Sequence, residues 1–387
     1  MRSSVDVLIV GGGVIGQATA FWLLSGAPEL AVAVLERDPT YAEASSGLSL
    51  GGIRQQFGIP LNIEIAKASV AFYEAAQEHL GPQAEIGFRQ HGYLFLGDAA
   101  SFPLLRRRAA AARELGVPVE ERAVDEIAQM VPGIRTDDLA GGTFCPTDGY
   151  LDPASVLAAF RRAATALGAE QVTGEAVDFL RQGALVRAAE LAGGGRIACD
   201  RLVVAAGGAS GEVARRLGAE LPVRRLRRQA HLVAPRAPLP ETIPLTIDPS
   251  GLHFRPETGG RLLIAHRTRG DGYDLPLAWD RSAFVEELWE PLAARLPALR
   301  ELRLERGWAG YYDENTVDHN AIVGRLPGTP NAYTATGFSG HGLMQCPSVT
   351  RGLAELLLRG RYESLDLSPL GPDRFQAGRL VIEPAVI

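Results

Sequence analysis

The chain has 387 residues, of which 46% are hydrophobic and 22% are charged, and its formal net charge is −6. A chain of this length can bury a large core and form two or three lobes, and its composition is typical of a globular enzyme. The negative charge and the lack of a long basic run argue against a nucleic-acid partner. No apolar run approaches the roughly 20 residues that a membrane-spanning helix needs.

The cysteines and the N-terminus indicate the compartment in which the protein works. Cys145, Cys199 and Cys346 lie far apart and show no spacing typical of a metal site. The first apolar strand begins within a few residues of Met1, so we expect no signal peptide and a cytoplasmic protein without metal. Lys67 is the only lysine in the chain and is expected at the surface, which disfavours any chemistry that needs a buried lysine.

The chain begins with a predicted strand over 7–10, a glycine-rich turn that opens a helix, and a second strand over 31–35. The turn has the spacing of a dinucleotide-binding fingerprint, with Gly11 for the tight turn, Gly13 for close approach of a pyrophosphate and Gly16 for helix packing. The helix N-terminus that follows offers free N–H groups to phosphates.

Glu36 ends the second strand, where its carboxylate can accept hydrogen bonds from ribose hydroxyls. This carboxylate would repel the 2′-phosphate of NADP, whereas NAD and FAD both remain possible on these residues alone.

The rest of the chain alternates between helical and extended patterns. Asp152 and Pro153 form a typical helix start, and Arg224–Arg228 is interpreted as a solvated or domain-joining segment. An extended loop rich in serine and glycine is predicted over 40–58. Helices are predicted over 62–80, 101–116, 123–131, 153–168 and 281–296, and from about Leu343 to Leu358. Strands are predicted over 86–97, 171–180, 184–190, 201–206, 221–234, 243–247, 252–255, 261–266, 300–309, 321–323 and 332–336.

Nucleotide-domain signatures therefore occur at the start, middle and end of the chain, with strand-rich segments between them. This order predicts an α/β fold, α+β overall, in which two domains are interleaved. The predicted Rossmann-like domain covers 1–80, 145–220 and 315–365, and a mainly antiparallel β domain for the substrate covers 81–144 and 221–314. Residues 366–387 are predicted to form a C-terminal tail.

Further motifs carry a resemblance to a known family. They are Ala-Ser-Ser-Gly at 44–47, Gly-Gly-Ile-Arg-Gln-Gln-Phe at 51–57, Asp-Gly-Tyr-Leu-Asp-Pro at 148–153, Gly-Tyr-Tyr-Asp at 310–313, Asp-His-Asn at 318–320 and Gly-Phe-Ser-Gly-His-Gly at 337–342. With them the chain resembles FAD-dependent amine oxidoreductases of the D-amino-acid oxidase superfamily, in the branch of sarcosine oxidase, sarcosine dehydrogenase and glycine oxidase. The resemblance implies a p-hydroxybenzoate-hydroxylase-like architecture and FAD as the cofactor.

The fingerprint and the resemblance together predict the FAD site. Ser45 and Ser46 are expected at the pyrophosphate or ribityl chain, and the backbone of Val177 at the adenine. The N-terminus of the last helix would stabilise negative charge at flavin N1 and O2 when N5 takes a hydride. The predicted residues are Gly11, Gly13, Val14, Ile15, Gly16, Glu36, Arg37, Ser45, Ser46, Gly51, Gly52, Val177, Ala206, Gly207, Gly337, Gly340, His341, Gly342, Leu343 and Met344.

Five residues are candidates for the substrate side. The resemblance places Arg54 where a guanidinium holds the substrate carboxylate, although an ion pair with a nearby acid is an alternative. Tyr312 matches an active-site tyrosine. His253 and Arg267 lie on strands expected to face the flavin, where each has either a substrate contact or a core or surface role. His341 is either a donor to the flavin or a structural histidine.

The chain departs from monomeric sarcosine oxidases at three positions. Gly310 stands in place of the cysteine that carries covalent FAD, so noncovalent FAD is predicted. Leu263 and Met344 stand in place of two lysines, one that promotes reaction with oxygen and one that clamps the carboxylate. Oxidase and dehydrogenase activity therefore stay equally open, with O2 or an unknown carrier as electron acceptor.

The resemblance implies oxidation of an amine, with a secondary, N-methyl or cyclic amino acid as the expected substrate. A hydride would pass from the α-carbon to flavin N5 and leave an imine, without an enzymic base if the amine binds unprotonated. The alternatives are a D-amino acid or 2-hydroxy acid dehydrogenase, and a noncatalytic flavoprotein subunit or assembly factor that binds a partner through the tail at 366–387. An NAD-dependent dehydrogenase is the remaining alternative.

Overall fold

The computed structural model describes residues 4–384. Its α-helices are α1 (Val14–Gly26), α2 (Ser45–Leu48), α3 (Pro60–Glu74), α4 (Ala76–Leu80), α5 (Phe102–Glu114), α6 (Val124–Met130), α7 (Pro153–Ala166), α8 (Ser210–Arg216), α9 (Arg281–Ala283), α10 (Trp289–Arg295) and α11 (Gly342–Arg359). A π-helical segment, Phe284–Leu288, joins α9 to α10.

The strands are β1 (Ser4–Val10), β2 (Val32–Glu36), β3 (Gly52–Ile53), β4 (Tyr93–Gly97), β5 (Glu120–Arg122), β6 (Gly141–Cys145), β7 (Gly149–Tyr150), β8 (Glu170–Thr173), β9 (Ala176–Gln182), β10 (Leu185–Leu191), β11 (Arg196–Val204), β12 (Val223–Pro235), β13 (Leu245–Ile247), β14 (His253–Glu257), β15 (Arg261–Ala265), β16 (Gly272–Tyr273), β17 (Leu302–Asn315), β18 (Ile322–Arg325) and β19 (Ala332–Thr336). The mixed α/β class expected from the sequence is confirmed.

The first sheet has the order β18-β19-β11-β1-β2-β8, and β10 and β9 extend it from β11. The pairs β1–β2, β1–β11, β2–β8 and β11–β19 are parallel. Parallel strands of this kind are buried on both faces, as β1 illustrates. Val7 and Ile9 pack with α1, α7 and α11, whereas Leu8 and Val10 pack with α8 on the opposite face.

The second sheet has the order β16-β12-β15-β14-β13-β4-β6-β5, with β17 beside β12, and it is antiparallel except at β13–β4. Alternation along its strands separates two faces. Phe254 and Ile264 face the apolar layer that contains Phe284 and Leu288. The neighbouring residue His253 is on the opposite face, which borders the main cavity of the molecule.

Several predicted elements differ from those observed. The predicted loop over 40–58 contains α2 and β3, and the predicted helix over 62–80 is divided at Ala75 into α3 and α4. Only 93–97 of the predicted strand region 86–97 forms a strand. The helix start at Asp152 is confirmed, because its carboxylate accepts a hydrogen bond of 3.0 Å from the backbone N–H of Ala154. The arginine-rich segment 224–228 lies within β12.

The C-terminal segment is held against the rest of the chain at two buried points. Arg374 and Asp318 form an ion pair of 2.8 Å that is almost completely buried. Glu383 is also buried, and its carboxylate accepts hydrogen bonds from the backbone of Gly58 and the side chain of Asn62, both at 2.9 Å. The predicted partner-binding tail is thus anchored at Arg374 and Glu383, whereas residues 376–380 between them are exposed, and its last residues, 385–387, lie outside the described part of the chain.

Between residues 4 and 384, no helix is both long and apolar enough to cross a membrane.

Candidate active site

A single elongated cavity runs from the N-terminus of α1 to the exposed face of the second sheet. Its nucleotide end is lined by Val10, Gly11, Gly13, Val14, Ile15, Leu35, Glu36, Arg37, Ser45, Ser46, Gly174, Glu175, Ala176, Ala206, Gly207 and Arg216. Its other end is lined by Gly52, Arg54, Tyr93, Arg228, His253, His266, Arg267, Trp308, Gly310, Tyr312, Gly340, His341, Gly342, Leu343 and Met344.

The glycine turn before α1 has the geometry that a pyrophosphate requires. Gly11 has φ of +108°, and a Cβ at Gly16 would overlap the carbonyl oxygen of Gly11. A Cβ at Gly13 would meet only the hydroxyl of Ser46, at 3.5 Å, so a ligand can approach the backbone closely. The hydroxyl of Ser46 also accepts a hydrogen bond of 3.1 Å from the backbone N–H of Val14. The Ser46 side chain and the N-terminus of α1 therefore meet at one point.

Glu36 is held at the end of β2 by two backbone donors. Its carboxylate accepts hydrogen bonds from the N–H groups of Gly12, at 2.8 Å, and Asp38, at 2.9 Å. The side chain of Glu36 borders the cavity, and its contact with ribose hydroxyls stays a prediction.

Sixteen of the predicted cofactor residues border the cavity and four do not: Gly16, Gly51, Val177 and Gly337. The backbone itself requires glycine at the first, second and fourth of these positions. Gly51 and Gly337 have φ of +76° and +68°, and a Cβ at Gly16 would overlap the carbonyl oxygen of Gly11. Val177 is 40% exposed, and the wall next to it is formed by Glu175 and Ala176. Val177 itself therefore does not border the cavity, and its contact with the adenine stays a prediction.

The loop over 337–342 and α11 form the wall opposite the second sheet. Ser339 adopts a left-handed conformation, with φ of +51°, and its N–H donates to the carbonyl of Asp313 at 3.1 Å. A Cβ at Gly340 would lie 2.6 Å from the ring of Tyr312, so only glycine lets these two segments pack together. His341 caps the 18-residue helix α11, whose positive N-terminal end is directed at the cavity.

Arg54 and His341 form the innermost polar pair at this end. Nη2 of Arg54 lies 3.1 Å from Nε2 of His341, while Nη1 donates to the carbonyl oxygen of Gln56. The guanidinium also lies 4.2 Å from the ring centre of Phe57. Burial and the neighbouring Arg54 charge lower the pKa of His341 well below its usual value, so its ring is neutral.

Tyr312 and His253 border the same end from the second sheet. Burial lowers the pKa of His253 to about 4, and its Nδ1 lies 3.0 Å from the carbonyl oxygen of Gly251. The neutral ring therefore donates from Nδ1 and keeps an acceptor at Nε2. Burial raises the pKa of Tyr312, so its hydroxyl keeps its proton. The structure brings all five predicted substrate-side residues to one end of the cavity, with Arg267 exposed at its edge.

Sequence reasoning missed four side chains at this end, those of Tyr93, Arg228, His266 and Trp308. Trp308 donates from its indole nitrogen to the carbonyl of Leu48 at 2.8 Å, and Arg228 pairs with Asp271 at 3.2 Å. Tyr93 is followed by Leu94, which packs in the apolar layer on the other face of the sheet. This alternation is visible in the sequence, but the sequence does not show which face borders the cavity.

Two of the three positions at which this chain departs from monomeric sarcosine oxidases border the cavity. Gly310 and Met344 border the cavity, whereas Leu263 is buried in β15 outside its lining. Cys145, Cys199 and Cys346 are buried free thiols that do not line the cavity. Lys67 is exposed and donates to the carbonyl of Leu115 at 2.8 Å.

The residues present fit FAD on structural grounds. Any side chain at position 13 would occupy the open space beside the backbone of Gly13, where a pyrophosphate could bind. The hydroxyl of Ser46 lies next to this space. At the far end, Nδ1 of His341 is buried without a hydrogen-bond partner in the described part of the chain, so it can serve a bound ligand. The cavity joins these two points, as a dinucleotide with a redox-active ring requires.

A dinucleotide site continuous with a pocket lined by arginines and neutral histidines is typical of a dinucleotide-dependent oxidoreductase. The chain belongs to the DAO family, described as FAD dependent oxidoreductase, whose profile matches residues 6–356. FAD is therefore the cofactor on which its activity depends.

Relatives with known names and structures agree with this assignment. The chain is 35% identical to "FAD-dependent oxidoreductase domain-containing protein 1" from Xenopus laevis, over 99% of this chain and 85% of that protein. Its structure is similar to L-proline dehydrogenase from P. horikoshii, with a TM-score of 0.89, 26% identity, and coverage of 98% and 100% of the two chains. It is also similar to glycine oxidase from Geobacillus kaustophilus, with a TM-score of 0.84, 26% identity, and coverage of 96% and 99%.

Proposed function

We propose that this protein oxidises the amine of a secondary, N-methyl or cyclic amino acid to an imine, using noncovalently bound FAD. The observation that carries the proposal is Arg54, a guanidinium with no exposed surface at the inner end of the cavity, directly beside His341. Bound FAD would supply the acceptor for a hydride at its N5 atom.

Arg54 is proposed to anchor the substrate carboxylate. A planar guanidinium matches a carboxylate through two charge-assisted hydrogen bonds, and burial strengthens such bonds. Anchoring the carboxylate places the α-carbon at a fixed distance from the wall formed by the Gly340 loop. The relatives support this class of substrate, because L-proline and glycine, in the names of the two similar structures, are both amino acids.

The neighbouring side chains favour a substrate amine that binds unprotonated. His341 and His253 are neutral and are held by Arg54 and the carbonyl of Gly251, and Tyr312 keeps its proton. The nitrogen lone pair can then form the C=N bond as the α-C–H bond breaks and its electron pair leaves as hydride. Water afterwards hydrolyses the imine.

Noncovalent attachment is proposed because no cysteine of the described chain borders the cavity and Gly310 offers no side chain. The electron acceptor is proposed to be O2 or a separate carrier, and a partner subunit could provide that carrier.

The purified yellow protein tests the proposal in anaerobic titrations with N-methyl amino acids, cyclic imino acids, D-amino acids and 2-hydroxy acids. Bleaching of the flavin band near ~450 nm by N-methyl or cyclic amino acids is the expected result. Reduction by 2-hydroxy acids alone would overturn the amine assignment, and a flavin that no compound reduces would favour the noncatalytic subunit. Air then separates an oxidase from a dehydrogenase by the rate of recolouring, and acid precipitation should release all FAD into the supernatant.

A further inference from the structure

We propose that the substrate carries a second carboxylate, which Arg267 binds at the open edge of the cavity. This inference rests on the proposed function, and it narrows the substrate to amino acids whose side chain or nitrogen substituent ends in a carboxylate.

Arg267 lies just beyond a strand of the second sheet, on the side that borders the cavity. Ala265, at the end of β15, pairs with His253 on one side and with Ala230 on the other. Arg267 follows Ala265 by two residues and borders the cavity, as does Arg228, which precedes Ala230 by two residues on β12. The strand period of two therefore places Arg228 on the face that carries Ala230 and His253. Arg267 was predicted on a strand but lies just beyond the end of β15, and it borders the cavity from the loop that follows.

The three arginines at this end differ in their partners. Arg54 donates to the carbonyl oxygen of Gln56, lies beside His341 at the inner end, and is proposed to hold the first carboxylate with its remaining donors. Arg228 is neutralised by Asp271, which lies 3.2 Å away and is itself 4% exposed. Between residues 4 and 384, Arg267 makes no hydrogen bond or ion pair, although it borders the cavity.

Anionic side chains do not balance this charge. Asp271, which lies in the same loop, accepts hydrogen bonds from Arg228 and from the backbone of Thr268. Asp313 is turned to the backbone N–H of Phe338, at 3.2 Å, and removal from water raises its pKa to about 6. A substrate with one carboxylate would use Arg54 and leave Arg267 unpaired, whereas a dicarboxylic substrate would pair with both.

Ligand binding to the FAD-loaded protein tests the second site without turnover. We compare glutarate, which has two carboxylates, with butyrate, which has one, by isothermal titration calorimetry. Glutarate is expected to bind about tenfold more tightly, the effect of one added charge-assisted hydrogen bond. Arg267→Gln should remove this difference. Arg269→Gln is the matched control, because Arg269 is 90% exposed, lies two residues away and is directed at Glu287.

Equal binding of the two acids by the unmodified protein, or no binding of either, would overturn the inference, as would an unchanged preference in Arg267→Gln. Anaerobic reduction by N-methylglutamate and N-methylglutamine then separates the two proposals. If both amines reduce the flavin equally fast, the proposed function stands and the second carboxylate site fails. If no amine reduces the flavin while glutarate still binds more tightly than butyrate, the second carboxylate site stands and the proposed oxidation fails.

Discussion

Nη2 of Arg54 lies 3.1 Å from Nε2 of His341, and both side chains are buried. A guanidinium has donors only, so Nε2 of His341 must accept and the ring proton must reside on Nδ1. Nδ1 has no partner among residues 4–384, and His341 caps α11 at the cavity wall. One arginine thus fixes the tautomer of the histidine and makes Nδ1–H an available donor.

His341→Leu tests whether this donor acts on the flavin. Loss of a donor to the reduced ring should make the midpoint potential more negative by about 30 mV, the equivalent of about 1.4 kcal/mol for two electrons. His341→Asn, whose amide can replace the Nδ1 donor, should recover most of the shift. Spectroelectrochemical titration measures both potentials, and identical values for His341→Leu and the unmodified protein would show that His341 is only structural.

Arg54→Met tests the carboxylate anchor. The variant should bind butyrate at least about tenfold more weakly, because a hydrogen bond to a charged group contributes about 1.5–3 kcal/mol. Butyramide has the same shape without the charge, so its binding should change much less. Calorimetric titration of both ligands provides the comparison, and unchanged butyrate binding would place the carboxylate elsewhere.

Gly16→Ala tests the turn that holds the pyrophosphate. The added methyl group would overlap the carbonyl oxygen of Gly11, so the turn must shift at a cost of roughly 1–3 kcal/mol. The purified variant should contain much less FAD than the unmodified protein, by the ratio of flavin to protein absorbance. Gly47→Ala is the control in neighbouring α2, because a Cβ there meets nothing within 4 Å and should leave the FAD content unchanged.

Local motifs predicted more of the site than long-range packing did. Gly11, Gly13 and Gly340 could be identified because turn geometry and close approach depend on a few adjacent residues. Val177 does not border the cavity, because the chain meets the cavity at Glu175 and Ala176, just before and at the start of β9. Tyr93 and Arg228 were missed because sheet register brings together strands that are far apart in sequence. The site roles of individual residues, the domain boundaries and the cytoplasmic location stay predictions.

The ionisation of Asp148 should make the free energy of unfolding depend on pH. It is completely buried, and burial raises the pKa of its carboxyl to about 6 from 3.8, although Gln55 donates to it from the backbone and the side chain. The folded protein therefore holds this proton more tightly than the unfolded chain between these two pH values. This tighter binding of the proton stabilises the folded protein fully below pH 3.8, and the stabilisation is lost as pH rises through about 6.

Asp148→Asn keeps the acceptor oxygen for Gln55 and removes the ionisation. The free energy of unfolding of this variant should therefore increase relative to that of the unmodified protein as pH rises from about 4 to 7. Urea unfolding of the two FAD-loaded proteins at several pH values measures the difference. A difference that stays constant over this interval would mean that Asp148 ionises as readily in the folded protein as in the unfolded chain.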